Sequence, residues 1–189
     1  MRIYISGGCK NGKSFFAQRL AKAQAATMAP KLYYVATMQP ADREDELRIA
    51  RHRDERAGWG FQTVERPRDI EKILETCDRG ASFLLDSVTA LLANEMFPGG
   101  DSFFDGAGEK TAAGLAAVLG RVENIVLVSD YIFGDAALYD PITEKYRESL
   151  AAVDRAAARL CDAVIEVVCA IPVVHKKSEA FDALLRSIS

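Results

Sequence analysis

The chain has 189 residues, and 24 Lys+Arg against 27 Asp+Glu give it a net charge of −3. This length suits one domain over residues 1–189, and a hydrophobic fraction of 49% excludes wholesale disorder. A mildly acidic chain lacks the clustered positive charge that non-specific nucleic-acid binding requires, so no nucleic-acid partner is expected. There are two histidines, His52 and His175, which excludes a histidine-rich metal site.

Cysteine spacing and hydropathy indicate a cytoplasmic protein. No pair of cysteines has C-x-x-C spacing, and scattered cysteines are typical of reduced thiols in the cytoplasm. The first residues enter a strand without a signal peptide, and the longest apolar stretch, 163–174, is too short to span a bilayer. The four cysteines are Cys9, Cys77, Cys161 and Cys169.

Apolar runs bounded by turn residues predict six strands. Several of them are apolar at consecutive positions, as expected when both faces of a sheet are covered by helices. The predicted strands cover residues 2–6, 32–37, 61–64, 82–85, 125–129 and 163–169.

Helical periodicity predicts six helices between these strands. The first helix has Phe15 and Leu20 on its expected buried face, and the second is highly charged with Leu47 and Ile49 as its main apolar anchors. Residues 98–108 form a Gly-rich acidic loop. The predicted helices cover residues 14–25, 42–56, 68–77, 88–97, 111–119 and 144–160.

This alternation of strands and helices predicts the fold class. Strands that follow one another through helices form a mostly parallel sheet flanked by helices on both faces, which is an α/β architecture. Neither an internal repeat nor a linker divides the chain.

The strongest motif is a phosphate-binding loop after the first predicted strand. Residues 7–14 match G-x-x-x-x-G-K-[ST] in full, and roughly 0.01 chance matches are expected in a chain of this length at ordinary composition. Glycines let backbone N–H groups surround an anion, and the next helix adds the positive end of its dipole. Lys13 would reach the β- and γ-phosphates, and Ser14 would hold Mg²⁺. The motif consists of Gly7, Gly8, Cys9, Lys10, Asn11, Gly12, Lys13 and Ser14.

Asp86 is the expected partner of this loop. It ends the apolar run 83–85, as the acidic residue of a Walker B strand does, and would contact the metal or the nucleotide. The alternative is an ordinary helix N-cap, for which Asp is also favoured.

His52 permits two interpretations. Its position in the charged run 42–56 is compatible with an exposed histidine on a solvated helix. The alternative is a nucleophile, because a neutral imidazole can attack phosphorus and form a covalent intermediate. Arg53 and Arg56 could then neutralise phosphates. His175 is interpreted as a surface residue.

Several of these segments together carry a family resemblance over about residues 2–175. They are the phosphate loop, Tyr34-Val35-Ala36-Thr37, Arg48-Ile49-x-x-His52-Arg53-x-x-Arg56, residues 63–67, residues 84–89 with Asn94, and the Ala-rich helix before residue 162. In these segments the chain resembles the bifunctional adenosylcobinamide kinase/adenosylcobinamide-phosphate guanylyltransferase family of cobalamin biosynthesis. The resemblance implies a RecA-type P-loop NTPase fold and a homotrimer.

The resemblance also implies the chemistry. The enzyme would phosphorylate the hydroxyl of adenosylcobinamide from ATP or GTP with Mg²⁺. A histidine matching His52 would then take GMP from GTP and pass it to adenosylcobinamide phosphate. Beyond the phosphate loop, the matching nucleotide contacts are Ala36, Thr37, Met38, Arg53, Asp54, Glu55, Arg56, Glu65 and Asp86.

Three departures from the family pattern keep other functions open. Phe61 stands where the family has Trp, residues 130–135 replace its Asn-Glu-Val-Gly-x-Gly, and Asp154 replaces an Asn. Because the last two of these changes lie in the C-terminal half, one alternative is a divergent P-loop kinase or nucleotidyltransferase with another acceptor. A nucleotide-binding regulatory protein without chemistry is the other.

Overall fold

A computed structural model describes residues 1–28, 31–40, 42–99 and 102–188. Within two of the helices, seven side chains lie outside this description, namely those of Met28, Asp45, Glu46, Arg48, Arg51, His52 and Glu55.

Seven strands form one sheet in the order β3-β2-β4-β5-β1-β6-β7. All neighbours run parallel except β6 and β7, which are antiparallel. The central strand β1 pairs with β5 on one side and β6 on the other. The strands are β1 (Arg2–Gly7), β2 (Leu32–Ala36), β3 (Gln62–Glu65), β4 (Ser82–Asp86), β5 (Asn124–Asp130), β6 (Ala163–Val168) and β7 (Ile171–Lys176).

Helices cover both faces of this sheet. A 3₁₀ turn, Ile70–Lys72, precedes the short α3. The α-helices are α1 (Lys13–Met28), α2 (Arg43–Glu55), α3 (Ile73–Thr76), α4 (Val88–Met96), α5 (Ala107–Leu119), α6 (Pro141–Leu160) and α7 (Glu179–Ser187).

Two buried clusters hold the layers together. On one face, Leu85 and Leu127 of the sheet pack with α4, α5 and α6. On the other face, Ile5 packs with Leu20 of α1 and Phe181 of α7. The predicted α/β architecture with a covered, mostly parallel sheet is therefore confirmed.

The C-terminal strand and helix were not predicted. β7 is an edge strand in which Pro172 interrupts the apolar run, so its pattern is weak. α7 is short but begins at an N-cap, where the Ser178 side chain accepts a hydrogen bond from the Phe181 N–H. His175 lies on β7 with its side chain 53% exposed, which confirms the surface position.

Two helices begin a few residues before their predicted starts at residues 111 and 144. α5 begins at Ala107, inside the segment interpreted as a loop, because Gly108 allows close packing against Ser149 of α6. A Cβ at Gly108 would lie 3.1 Å from the Ser149 Cβ. α6 begins at Pro141, where Asp140 caps the Ile142 and Thr143 N–H groups.

Two predicted apolar contacts were wrong. Phe15 is 59% exposed, because the buried face of α1 is formed by Ala17, Leu20 and Ala21. Leu47 is 63% exposed and does not anchor α2. Both errors come from assigning a face by apolar spacing where a neighbouring site sets the helix orientation.

The four cysteines all fall within the described ranges and are free thiols. Within the same ranges, no helix combines the length and apolar character needed to cross a membrane.

Candidate active site

The phosphate loop connects the carboxyl end of β1 to the start of α1. Gly12 has φ +90° and Lys10 has φ 56°, so the backbone makes the left-handed turns that a loop around an anion requires. A Cβ at Gly7 would lie 2.6 Å from the Val167 carbonyl oxygen, so only glycine fits there. The sequence motif, the backbone shape and the start of α1 therefore all indicate a loop that can surround an anion, here called the cradle.

Asn11 fixes this loop to the neighbouring strand. Its Nδ2 donates a hydrogen bond to the Val167 carbonyl, and its own carbonyl accepts one from the Ala170 N–H at 3.0 Å. Its Oδ1 accepts a bond from the Lys13 N–H at 3.3 Å. A residue at a variable position of the motif thus holds the loop against the end of β6.

Lys13 is the cation of the cradle. Its Nζ donates to the Gly8 carbonyl at 3.1 Å and lies 2.6 Å from Oδ1 of Asp130. Asp130 ends β5, which is next to β1 in the sheet. Sequence reasoning missed Asp130 as a site residue, although it closes an apolar run just as Asp86 does.

Asp86 lies at the end of β4, below the loop. The Tyr34 hydroxyl donates a hydrogen bond to its Oδ2 at 3.0 Å. Burial raises the pKa of Asp86, and hydrogen bonds from Tyr34 and Ser14 oppose that shift. The N-cap alternative is wrong, because it is Ser87 whose side chain caps α4, by accepting from the Ala90 N–H.

Ser14 and Asp86 provide the oxygen ligands that Mg²⁺ prefers. Their side chains are in hydrogen-bond contact, so both can reach one ion. Among the described residues, no cluster of three or more His, Cys, Asp or Glu side chains could hold a metal. Two protein oxygens nevertheless suit Mg²⁺, which usually keeps several waters and takes phosphate oxygens as further ligands.

A stacked arginine connects α2 to this centre. Arg56, just beyond α2, is 8% exposed, and its Cζ lies 3.5 Å from the centre of the Tyr34 ring. The Tyr34 hydroxyl in turn contacts Asp86. Nearby, Arg53 lies 3.4 Å from Glu65 of β3, with both side chains largely exposed.

One cavity of about 820 Å³ connects the phosphate loop with α2. Twelve of the predicted site residues line it: Cys9, Lys10, Asn11, Gly12, Lys13, Ser14, Ala36, Met38, Arg53, Arg56, Glu65 and Asp86.

The other predicted positions lie elsewhere or outside the described side chains. Thr37 is fully buried, and its hydroxyl bonds to the Ser87 backbone rather than lining the cavity. Asp54 is exposed and also does not line it. The backbones of His52 and Glu55 lie in α2, which contributes Ile49, Ala50 and Arg53 to the cavity wall, but their side chains are not described. Gly7 and Gly8 form the base of the cradle.

Sequence reasoning missed several cavity residues. Tyr34 and Phe15 line the cavity, as do Thr89 and Tyr146 from α4 and α6. Tyr34 belonged to a recognised segment, but only the folded sheet brings its hydroxyl to Asp86. Thr89 and Tyr146 come from distant parts of the chain, and no local motif marks them.

A buried polar network lies behind Asp130. The Ser129 hydroxyl donates to Asp154 Oδ1 at 2.9 Å and contacts the Thr89 hydroxyl at 3.3 Å, and Thr89 Oγ1 accepts from the Asp130 N–H at 2.8 Å. Tyr4 also bonds to Asp154. Burial raises the pKa of Asp154 to about 6.

A buried, mostly parallel sheet, a glycine-rich loop and an acidic strand end together define the P-loop NTPase fold of the RecA type. The KaiC-like protein PH0186 from Pyrococcus horikoshii has a similar structure, with a TM-score of 0.53 and 12% identity over 94% of this chain and 80% of that one. At this identity, the likeness shows the fold alone.

Sequence comparison identifies the family. The family described as cobinamide kinase / cobinamide phosphate guanyltransferase matches residues 3–175, and the chain belongs to it. The bifunctional adenosylcobalamin biosynthesis protein CobP of Pseudomonas aeruginosa is 30% identical over 178 residues, which are 93% of this chain and 98% of that protein. The bifunctional adenosylcobalamin biosynthesis protein CobU of Salmonella typhimurium is 34% identical over 100 residues, about half of each chain.

Proposed function

We propose that the chain phosphorylates adenosylcobinamide and then transfers GMP from GTP to adenosylcobinamide phosphate through a guanylyl-histidine at His52. The product is adenosylcobinamide-GDP. The observation that carries the proposal is the single cavity of about 820 Å³ that connects the phosphate loop with the helix bearing His52.

In the kinase step, the acceptor hydroxyl oxygen attacks the γ-phosphorus of ATP or GTP. The bond to the β–γ bridging oxygen breaks, the nucleoside diphosphate leaves, and the hydroxyl proton is lost to water. Lys13 and the loop N–H groups stabilise the negative charge on the phosphoryl oxygens. Lys13 suits this role because two oxygen contacts already hold its ammonium at the cradle.

Mg²⁺ belongs with the nucleotide in this proposal. Ser14 and Asp86 would hold it, and the ion would supply charge neutralisation at the phosphates. The Tyr34 hydrogen bond keeps one Asp86 oxygen oriented, so the carboxylate presents the other.

In the second step, a neutral imidazole nitrogen of His52 attacks the α-phosphorus of GTP, and the bond to pyrophosphate breaks. A phosphate oxygen of the acceptor then attacks the same phosphorus, the P–N bond breaks, and the free imidazole is restored. Arg53 and Arg56 line the cavity beside α2 and supply positive charge for the phosphates.

Labelling tests the covalent step directly. GTP labelled at the α-phosphate should leave acid-labile label on the wild-type protein, and His52→Ala should lose it. The matched control is His175→Ala, which removes the other histidine, an exposed side chain on β7, and should keep the label. Label that survives His52→Ala, or its absence from the wild type, would contradict the mechanism.

The family resemblance also supports a homotrimer in the cytoplasm. The exposed edge strand β7 offers Ile171 and Val173, which are 65% and 42% exposed, for contact with another copy. Light scattering that gives the mass of one chain, 20.7 kDa, would contradict the assembly.

A further inference from the structure

We propose that the flat macrocycle of the corrinoid acceptor binds in a second cavity beside the phosphate loop, on the side of residues 131–147. The proposal rests on the proposed function, because it takes cobinamide as the acceptor. It assigns the acceptor to the segment where this chain departs from its family.

The second cavity adjoins the first at one shared residue. It has a volume of about 530 Å³, and Tyr146 lines both cavities. The Tyr131 N–H donates a hydrogen bond to the Gly7 carbonyl at 2.9 Å, so this wall starts at the phosphate loop itself. A ligand in the second cavity would therefore lie beside the phosphate loop.

The walls present aromatic rings to a ligand. Tyr131 and Tyr139 line the cavity and are 50% and 41% exposed. The Tyr131 ring is supported by Phe133 in an edge-to-face contact with centroids 5.6 Å apart. Exposed rings held in place by neighbours suit apolar packing against the face and edge of a large conjugated ring such as a corrin.

The polar groups of this cavity suit the rim of the same ligand. The Arg147 side chain is 15% exposed, and its guanidinium pairs with Glu144 at 2.9 Å and with Asp135 at 3.5 Å. The Arg147 guanidinium also lies 4.9 Å from the Tyr139 ring, whose hydroxyl donates to Asp135 at 2.9 Å. Donors and acceptors around aromatic faces match the carboxamide arms of a corrinoid, which can both accept and donate.

The position also explains how the acceptor hydroxyl would reach the nucleotide. The ion pair between Lys13 and Asp130 stands at the boundary between the cavities, since Tyr131 follows Asp130 directly. A macrocycle lying on Tyr131 and Tyr139 would extend its hydroxyl-bearing arm past Tyr146 toward Lys13. The bulky ring would then remain outside the phosphate cradle while its arm enters.

Binding measurements on single variants of the intact protein test this assignment. Cobinamide is titrated against wild type, Tyr131→Ala and Tyr139→Ala, and KM is measured for cobinamide and for ATP. Each alanine variant should weaken cobinamide binding about tenfold, because a stacking face is lost, and should leave KM for ATP unchanged. Tyr139→Phe keeps the ring and should retain most of the affinity.

Phe103→Ala is the matched control, because Phe103 is 41% exposed, as Tyr139 is, but does not line the cavity. Unchanged cobinamide binding in both tyrosine variants, or an equal loss in Phe103→Ala, would overturn the assignment while leaving the proposed function intact. A wild-type protein that takes GMP label from GTP but neither binds nor phosphorylates cobinamide would overturn the acceptor, and the assignment with it.

Discussion

The two walls of the main cavity are built in opposite ways. The phosphate-loop wall stands on the ends of the central strands β1, β4 and β5, and its Lys13 is 7% exposed. The α2 wall is a highly charged helix in which Leu47 is 63% exposed. Its described contacts with the sheet are at its C-terminal end, through Arg56 on Tyr34 and Arg53 near Glu65.

The phosphate-loop wall thus forms a buried binding frame, whereas the described part of the α2 wall is charged and exposed. Phosphate binding needs N–H groups and a cation held in place before the ligand arrives, which a buried sheet edge provides. In the proposed mechanism the covalent carrier His52 must address both a nucleotide and an acceptor, and its backbone lies in the α2 wall. Substitutions made in each wall separately test this difference.

Loss of Lys13 should have the largest effect. Lys13→Ala removes the cation shared by both reactions, so we expect phosphoryl transfer to fall about a thousandfold and GMP labelling to fall below detection. Kinase rates and label from GTP are the measurements. Lys22→Ala, on the same helix but away from the cavity lining, is the control and should behave as wild type. GMP labelling that persists in Lys13→Ala would show that the α2 wall binds GTP independently.

Loss of Arg56 should lower GMP labelling more than the kinase rate. Arg56→Ala removes the guanidinium that stacks on Tyr34 at the end of α2, so GMP labelling should fall about tenfold while the kinase rate changes little. Arg43→Ala, at the exposed start of α2, is the control. An equal loss of both activities in Arg56→Ala would mean that the walls act as one unit.

The same contrast explains what could be predicted from the sequence. The phosphate loop and Asp86 were found because each follows an apolar strand at a fixed spacing, so local chemistry determines local structure. Tyr34 and Tyr146 were missed because their place in the site depends on register and on helices distant in sequence. The start of α5 was predicted too late for the same reason. Its first turn is stabilised by packing of Gly108 on α6 rather than by a side-chain cap.

The smallest expected effect concerns the buried carboxylate behind the frame. Because the pKa of Asp154 is raised to about 6 by burial, the folded state holds this proton more tightly than the unfolded chain does. Stability therefore falls as pH rises from about 4 to about 6, and the ionised group costs on the order of 3 kcal/mol above that window. Asp154→Asn keeps an acceptor for Tyr4 and Ser129 but cannot ionise.

Thermal unfolding measured across this pH range tests whether ionisation of Asp154 destabilises the folded protein. Asp154→Asn should raise Tm by about 6–12 °C at pH 8 and by progressively less toward pH 4, where wild-type Asp154 is protonated. Asp105→Asn is the control, since its carboxylate is 74% exposed and its pair with Lys145 is worth little. A Tm difference of the same size at every pH would mean that the Asp154 charge does not limit the stability of the folded protein. The network from Asp154 to Asp130 would then act through packing alone.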